Sequence, residues 1–127
     1  SAFDKVIKAM RMPKDTEKEK EIRETEMQKG YQSATLVPLK TVENCRNALD
    51  VCYEISEIMD EGMASDVGSG ALMANAGAKA AAYNVAINLK SITDKDFCKK
   101  TNNELTTLIK KCDDLSERVA KKVEKAL

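Results

Sequence analysis

The side chains with the clearest chemical capacity lie together in one stretch, residues 62–92. They include the carboxylate of Asp66, the ammonium of Lys79 and the carboxamides of Asn84 and Asn88. A carboxylate can give or take a proton, and an ammonium can bind an anion. The two asparagines are spaced i,i+4, so on a helix they share a face and could hydrogen-bond the edge of a heterocycle. Buried polar groups need partners, which here could be one another, the backbone or a ligand.

Each of these groups also has a structural interpretation. Ser65 fits the N-cap of a helix, and Asp66 fits its first turn, where a carboxylate faces free backbone amides. The asparagines could bond locally inside a packed bundle, and Lys79 could neutralise Asp66 or another acid. Asp66 and Lys79 are thirteen residues apart, about 20 Å along one helix, so each needs a separate partner.

The stretch that carries these groups is unusually rich in small residues. It contains four of the five glycines in the chain and eight alanines between positions 71 and 86. A helix that is small and apolar nearly all round is expected at the centre of a helical assembly. The stretch therefore predicts a buried central helix whose small side chains let neighbouring helices approach closely.

Composition limits the classes of function. The 127 residues suit one domain, and 21 basic residues balance 21 acidic ones, so no net charge favours nucleic acid or an anionic membrane. No run is apolar enough to span a membrane. Four cysteines without a CxxC pair, in a chain with no histidine, argue against a metal site. We expect free thiols and a cytoplasmic location.

The remaining segments predict helices. The apolar face of residues 3–10 ends before Pro13, and Thr16 with Glu19 forms a capping-box pattern for a second helix. Pro38 is predicted to break that helix and to start another, which runs to Gly62. Thr93 or Asp94 is predicted to cap a last helix with a near-heptad apolar face. The fold class is all-α, an antiparallel bundle of four to five helices around the small-residue central helix.

Several separated segments resemble one known family. The run from Ser65 to Gly68 and the Asn-Val-x-Ile-Asn-Leu run over residues 84–89 are similar to the signature region of the formiminotetrahydrofolate cyclodeaminase and methenyltetrahydrofolate cyclohydrolase family. The phenylalanine-led first helix, the Arg-x-Pro-Lys turn and the Val-Pro-Leu segment over residues 37–39 also resemble the family. These segments occur in the family's order and cover essentially the whole chain.

The resemblance implies chemistry on the one-carbon unit that bridges N5 and N10 of tetrahydrofolate. Both the cyclodeaminase and the cyclohydrolase need a group that stabilises a cationic carbon and relays a proton, which a carboxylate can do. Asp66 is therefore the expected catalytic residue. The expected substrate-binding residues are Ser65, Lys79, Asn84 and Asn88. A tetrahydrofolate derivative is expected as substrate, without a metal, and a homodimer that binds no nucleic acid and no membrane is expected.

One departure from the family concerns the start of the chain. Family members usually begin with a glycine-rich segment and an alanine-rich helix, which these 127 residues lack. We therefore expect one domain, 1–127, that is incomplete at its N-terminus, with exposed apolar faces where the missing helix would pack. The choice between the two activities stays open. The alternative function is a non-catalytic helical interaction module, or an inactive fragment of such an enzyme.

Overall fold

Four helices and no strands make up the fold in a computed structural model that describes all 127 residues. They are α1 (Asp4–Met10), α2 (Glu17–Ile58), α3 (Glu61–Leu89) and α4 (Lys95–Ala126). The predicted all-α bundle is confirmed, with four helices. No helix is both long enough and apolar enough to cross a membrane.

The helix starts are fixed by side-chain caps. Thr16 accepts a hydrogen bond from the Glu19 amide, and the Glu19 carboxylate accepts one from the Thr16 amide, so the predicted capping box is present. Asp94 caps α4 by accepting from the amide of Phe97, as one of the two predicted alternatives. These caps satisfy amides that a helix start leaves without a backbone acceptor.

The core lies where α2, α3 and α4 meet, and each of these helices contacts the other two. The small side chains of α3 form the inner layer, opposite larger residues of α2 and α4. The most deeply buried core residues are Val42, Leu49, Ala64, Ala78, Val85, Cys112 and Val119. All four cysteines are free thiols, as expected. The predicted face of α4 supplies buried residues as well.

The short helix α1 packs only against α2. Its contact centres on Val6, which is fully buried against Gly30. A Cβ atom on residue 30 would lie 2.9 Å from the Val6 Cγ2 and 3.0 Å from the Val6 backbone nitrogen. Gly30 is thus required by the close approach of two helix backbones.

The predicted break at Pro38 is wrong. α2 runs without interruption for 42 residues, with Pro38 inside it. Proline removes the N–H that would bond the carbonyl four residues earlier, which here belongs to Ala34. That carbonyl instead accepts a hydrogen bond from Asn88 of α3, at 3.3 Å. The tertiary contact replaces the missing donor, so the helix continues.

The predicted boundary between the second and third long helices is also wrong. α2 ends at Ile58 rather than at Gly62, and α3 begins at Glu61 with Asp60 as its N-cap. The Asp60 carboxylate accepts from the Met63 amide, which places Ser65 and Asp66 beyond the first turn. Glycine stops a helix most readily with a positive φ, and no glycine here has one.

The prediction that the small-residue helix is buried all round is wrong for one side. One face of α3 packs on α2 and α4, but the opposite face is open. Leu72, Met73, Tyr83 and Ile87 are all more than half exposed on that side. A bundle of three long helices can cover only part of the circumference of each, so the fourth side of α3 faces outward.

Candidate functional site

The largest cleft lies between α2, α3 and the first residues of the chain. Its volume is about 660 Å³. The residues that line it are Ser1, Ala2 and Phe3, then Ala34, Val37, Pro38 and Thr41 of α2, then Gly77, Ala80, Ala81, Asn84 and Asn88 of α3. The small residues of α3 create this space, since a Cβ on Gly77 would already lie 3.3 Å from the Cys45 sulfur.

Asn84 and Asn88 are the two carboxamides of the cleft. The structure brings them to one face, as their spacing predicts. Asn88 is committed to the backbone because its Nδ2 donates to the Ala34 carbonyl at 3.3 Å. Asn84 is more available: it is exposed, and its Nδ2 makes only a hydrogen bond of 3.2 Å to the Ala80 carbonyl of its own helix. Its oxygen remains free to accept from a ligand.

Ser65 and Asp66 lie far from this pair within the same chain. Both are exposed near the start of α3. Asp66 and Asn84 are separated by eighteen residues, which is five full turns, so they point in the same direction about 27 Å apart. One chain therefore cannot place Asp66 and Asn84 on the same atom group of a ligand.

Lys79 faces α4 rather than the cleft. Its ammonium lies 2.8 Å from the Asp113 carboxylate, which also accepts a 3.1 Å hydrogen bond from Asn75. This arrangement lowers the pKa of Asp113, because the bonds from Lys79 and Asn75 favour the carboxylate. The bond to Asp113 likewise raises the pKa of Lys79. Both side chains are about half exposed, so the pair is only weakly held.

Three residues around the candidate site were missed by the sequence interpretation. Pro38 and Thr41 line the cleft from α2, and Asp113 of α4 is the partner of Lys79. The Pro38 signal was visible but indicated a helix break. The pairing of Lys79 with Asp113 joins two helices at a level that no sequence spacing specifies.

No group of three or more histidine, cysteine, aspartate or glutamate side chains is arranged to hold a metal ion. The buried thiol of Cys112 lies in the core, where burial raises its pKa to about 11. A thiol with that pKa stays protonated near neutral pH and is a poor nucleophile. The chemical groups that can meet a ligand are therefore those of the cleft and of the open face of α3.

Comparison with known proteins decides the family. The formiminotransferase-cyclodeaminase family model matches residues 1–107. The chain belongs to this family. The methenyltetrahydrofolate cyclohydrolase of Methylorubrum extorquens is 35% identical over 97% of this chain and 59% of its own length. The formimidoyltransferase-cyclodeaminase of Gallus gallus is 33% identical over 98% of this chain and 23% of its own length.

A solved structure shows the same architecture within the family. The crystal structure of formiminotetrahydrofolate cyclodeaminase from Thermotoga maritima matches with a TM-score of 0.84 and 27% identity. The match covers 98% of this chain and 58% of that one. The resemblance found in the sequence is thus confirmed. The chain spans about three fifths of the length of the cyclohydrolase and of the cyclodeaminase that it matches.

Proposed function

We propose that this family member acts on the one-carbon unit bridging N5 and N10 of tetrahydrofolate, as a methenyltetrahydrofolate cyclohydrolase or a formiminotetrahydrofolate cyclodeaminase. The observation that supports this most is the match to relatives of both names along nearly the whole chain. A cyclohydrolase adds water to the cationic methenyl carbon and opens one carbon–nitrogen bond, with release of a proton. A cyclodeaminase closes the formimino carbon onto N10 and expels ammonia.

The cleft between α2 and α3 is the proposed place for the heterocycle. Its apolar lining offers contact to a flat ring, and the free oxygen of Asn84 can accept from a ring N–H. Asn88, held by the Ala34 carbonyl, keeps its own oxygen at a fixed position beside the cleft. These two residues would orient the ring, while the cleft excludes water from one of its faces.

Asp66 is the proposed catalytic residue. A carboxylate beside the methenyl carbon stabilises its positive charge and accepts the proton that the attacking water loses. Ser65, next to it, is proposed as a hydrogen-bonding residue for the substrate. Lys79 is proposed for the carboxylate end of the folate, because its exposed bond to Asp113 is weak enough for another carboxylate to replace.

The test follows the absorbance of 5,10-methenyltetrahydrofolate with folded protein. We expect decay above the buffer rate, and a loss of at least about a hundredfold in Asp66→Asn at unchanged thermal stability. Asp96→Asn, which removes another exposed carboxylate, is the matched control and should keep its activity. Ammonia release from formiminotetrahydrofolate separates the two activities. An unchanged rate in Asp66→Asn would remove this residue from catalysis.

A non-catalytic interaction module is the second candidate, since helical bundles serve many functions. Folate binding separates the two, because a ligand that binds the native state raises the melting temperature. A melting temperature unmoved by saturating folate, together with no turnover, would favour the module. The expected homodimer, the cytoplasmic location and the absence of nucleic acid, membrane and metal from the mechanism stay parts of the proposal.

A further inference from the structure

The open side of α3 carries one continuous uncharged surface, which we name the α3 outer face. Its positions recur at steps of four and three, and every one of them is exposed. They are Ser65, Ser69, Leu72, Ala76, Ala80, Tyr83 and Ile87. The face is about 33 Å long, the length of 22 residues of helix. Such a seam is typical of a helix that pairs with another helix.

The order of large and small residues on this face is self-complementary. In an antiparallel pair centred on Ala76, each residue meets the one at the same distance on the other side of position 76. Ser65 then opposes Ile87, Ser69 opposes Tyr83, and Ala80 opposes Leu72. Every pair sets one large side chain against one small side chain, as close packing of two helices requires.

The parallel alternative lacks this property. A parallel pair in register would set Tyr83 against Tyr83 and Leu72 against Leu72, while Ser65 and Ser69 would face their own copies across gaps. Voids and overpacking both destabilise an interface. The pattern therefore indicates a second copy of this chain in the antiparallel direction, and it specifies the register.

We propose that two copies pair through the α3 outer face, antiparallel about Ala76, and that this pairing completes the active site. In this register Asp66 of one copy comes level with position 86 of the other, midway between Asn84 and Asn88. Asp66 and Asn84 point in the same direction on α3, so a two-fold axis places them on the same side of the helix pair. The helix axes are about 8–10 Å apart, which leaves room for a ring between them.

This arrangement accounts for the separation of the candidate residues within one chain. Asp66 lies about 27 Å from Asn84 of its own copy but about 3 Å along the axis from the level of Asn84 in the second copy. Ala80 belongs both to the outer face and to the cleft, so the second copy would close the open side of the cleft. The inference rests on the proposed homodimer and on the proposed role of Asp66.

The register is tested by cross-linking, which needs no catalytic activity. Ala76→Cys places a thiol on the two-fold axis, where an added oxidant such as diamide converts the two thiols of a dimer into one disulfide. Ser69→Cys is the matched control on the same face, because its two copies are about 21 Å apart. We expect Ala76→Cys to cross-link at least about tenfold faster than Ser69→Cys and than the wild type. Ser69→Cys mixed with Tyr83→Cys should cross-link as well.

The shared site is tested by mixing two inactive variants, Asp66→Asn and Asn84→Leu. A mixed dimer has one site with both changes and one site with neither. Random mixing at equal amounts should therefore restore about one quarter of the wild-type activity. Sites formed within single chains would give no recovery, because each chain would carry its own defect.

The outcomes separate the inference from the proposed chemistry. A monomer at all concentrations, or equal cross-linking at positions 76 and 69, overturns the pairing whatever the activity is. Specific cross-linking without recovery of activity, in a wild type that turns over, overturns the shared site. A wild type without turnover would count against the proposed function, and the shared site would then be judged by whether folate speeds the Ala76→Cys cross-link. An unchanged cross-linking rate would overturn it.

Discussion

The Asn88 carboxamide donates a hydrogen bond to the Ala34 carbonyl, 3.3 Å away and 54 residues earlier in the chain. That carbonyl would bond the amide of residue 38 in an ordinary α-helix, but Pro38 has no N–H. One side chain of α3 thus completes the backbone of α2. The same bond lies at the wall of the cleft, so the stability of the helix and the shape of the candidate site depend on one contact.

Removal of this contact should destabilise the protein. Asn88→Ala leaves a buried carbonyl without a donor, and we expect a loss of about 1–2 kcal/mol in the free energy of unfolding. In a Pro38→Ala background the new amide at residue 38 supplies the donor. The same change should then cost less than about 0.5 kcal/mol in urea unfolding.

Asn84→Ala is the control for that pair of measurements. Asn84 bonds only a carbonyl of its own helix, so its replacement should change the free energy of unfolding by less than about 0.5 kcal/mol. Equal costs of Asn88→Ala in both backgrounds would show that Asn88 does not act through the carbonyl of Ala34.

Replacement of Gly30 should release α1. In Gly30→Ala the new methyl meets the backbone of Val6, which cannot move without the rest of α1. We expect a loss of about 1–3 kcal/mol, despite the better helix propensity of alanine. Trypsin should also cut faster after Arg11 or Lys14, in the segment that joins α1 to α2.

Gly70→Ala provides the matched comparison for Gly30. A methyl on residue 70 would find the Cys52 sulfur at an ordinary distance of 3.6 Å. We expect Gly70→Ala to be neutral or to stabilise by up to about 1 kcal/mol through helix propensity. A Gly30→Ala protein as stable as Gly70→Ala would contradict the close backbone contact.

The buried thiol of Cys112 should make stability depend on alkaline pH. Its pKa is raised to about 11 by burial, so between pH 9 and pH 11 the native state holds a proton that the unfolded chain releases. Stability from this group is full below pH 9 and falls as the pH rises toward 11. In Cys112→Ala, the melting temperature should fall less steeply over that range than in the wild type.

Alkylation gives a second readout of the same thiol. With iodoacetamide at pH 8, Cys112 should be the last of the four cysteines to react, because it is buried and protonated. Peptide mapping over time measures the order. Labelling of Cys112 as early as that of the half-buried Cys98 would contradict its predicted protonation state.

The ion pair of Lys79 and Asp113 should tune substrate binding if Lys79 holds a folate carboxylate. Lys79→Gln is then expected to raise KM a few-fold with kcat unchanged, because it removes uniform binding. Asp113→Asn frees the ammonium and should lower KM. The steady-state kinetics of both variants check this, and a KM that neither change moves would leave the pair with a structural role only.

Local chemistry in the sequence was enough for the helical class and for several boundaries. Thr16 with Glu19 and Asp94 fix helix starts through bonds to residues three positions away, so spacing alone predicts them. The apolar face of α4 follows from its period, because a helix packed on one side must bury one stripe. The family resemblance rests on short motifs that keep their order along the chain.

The tertiary structure decided what depends on contacts between distant segments. Pro38 indicates a break by every local rule, and only the donor from Asn88 makes the continuous helix possible. The small residues of α3 predict burial, but they do not state how many neighbours a helix has, and one face stays open. The sequence placed Asp66, Asn84 and Asn88 in one stretch. The rise of 1.5 Å per residue along a straight helix separates Asp66 from the other two, so a single chain cannot unite them.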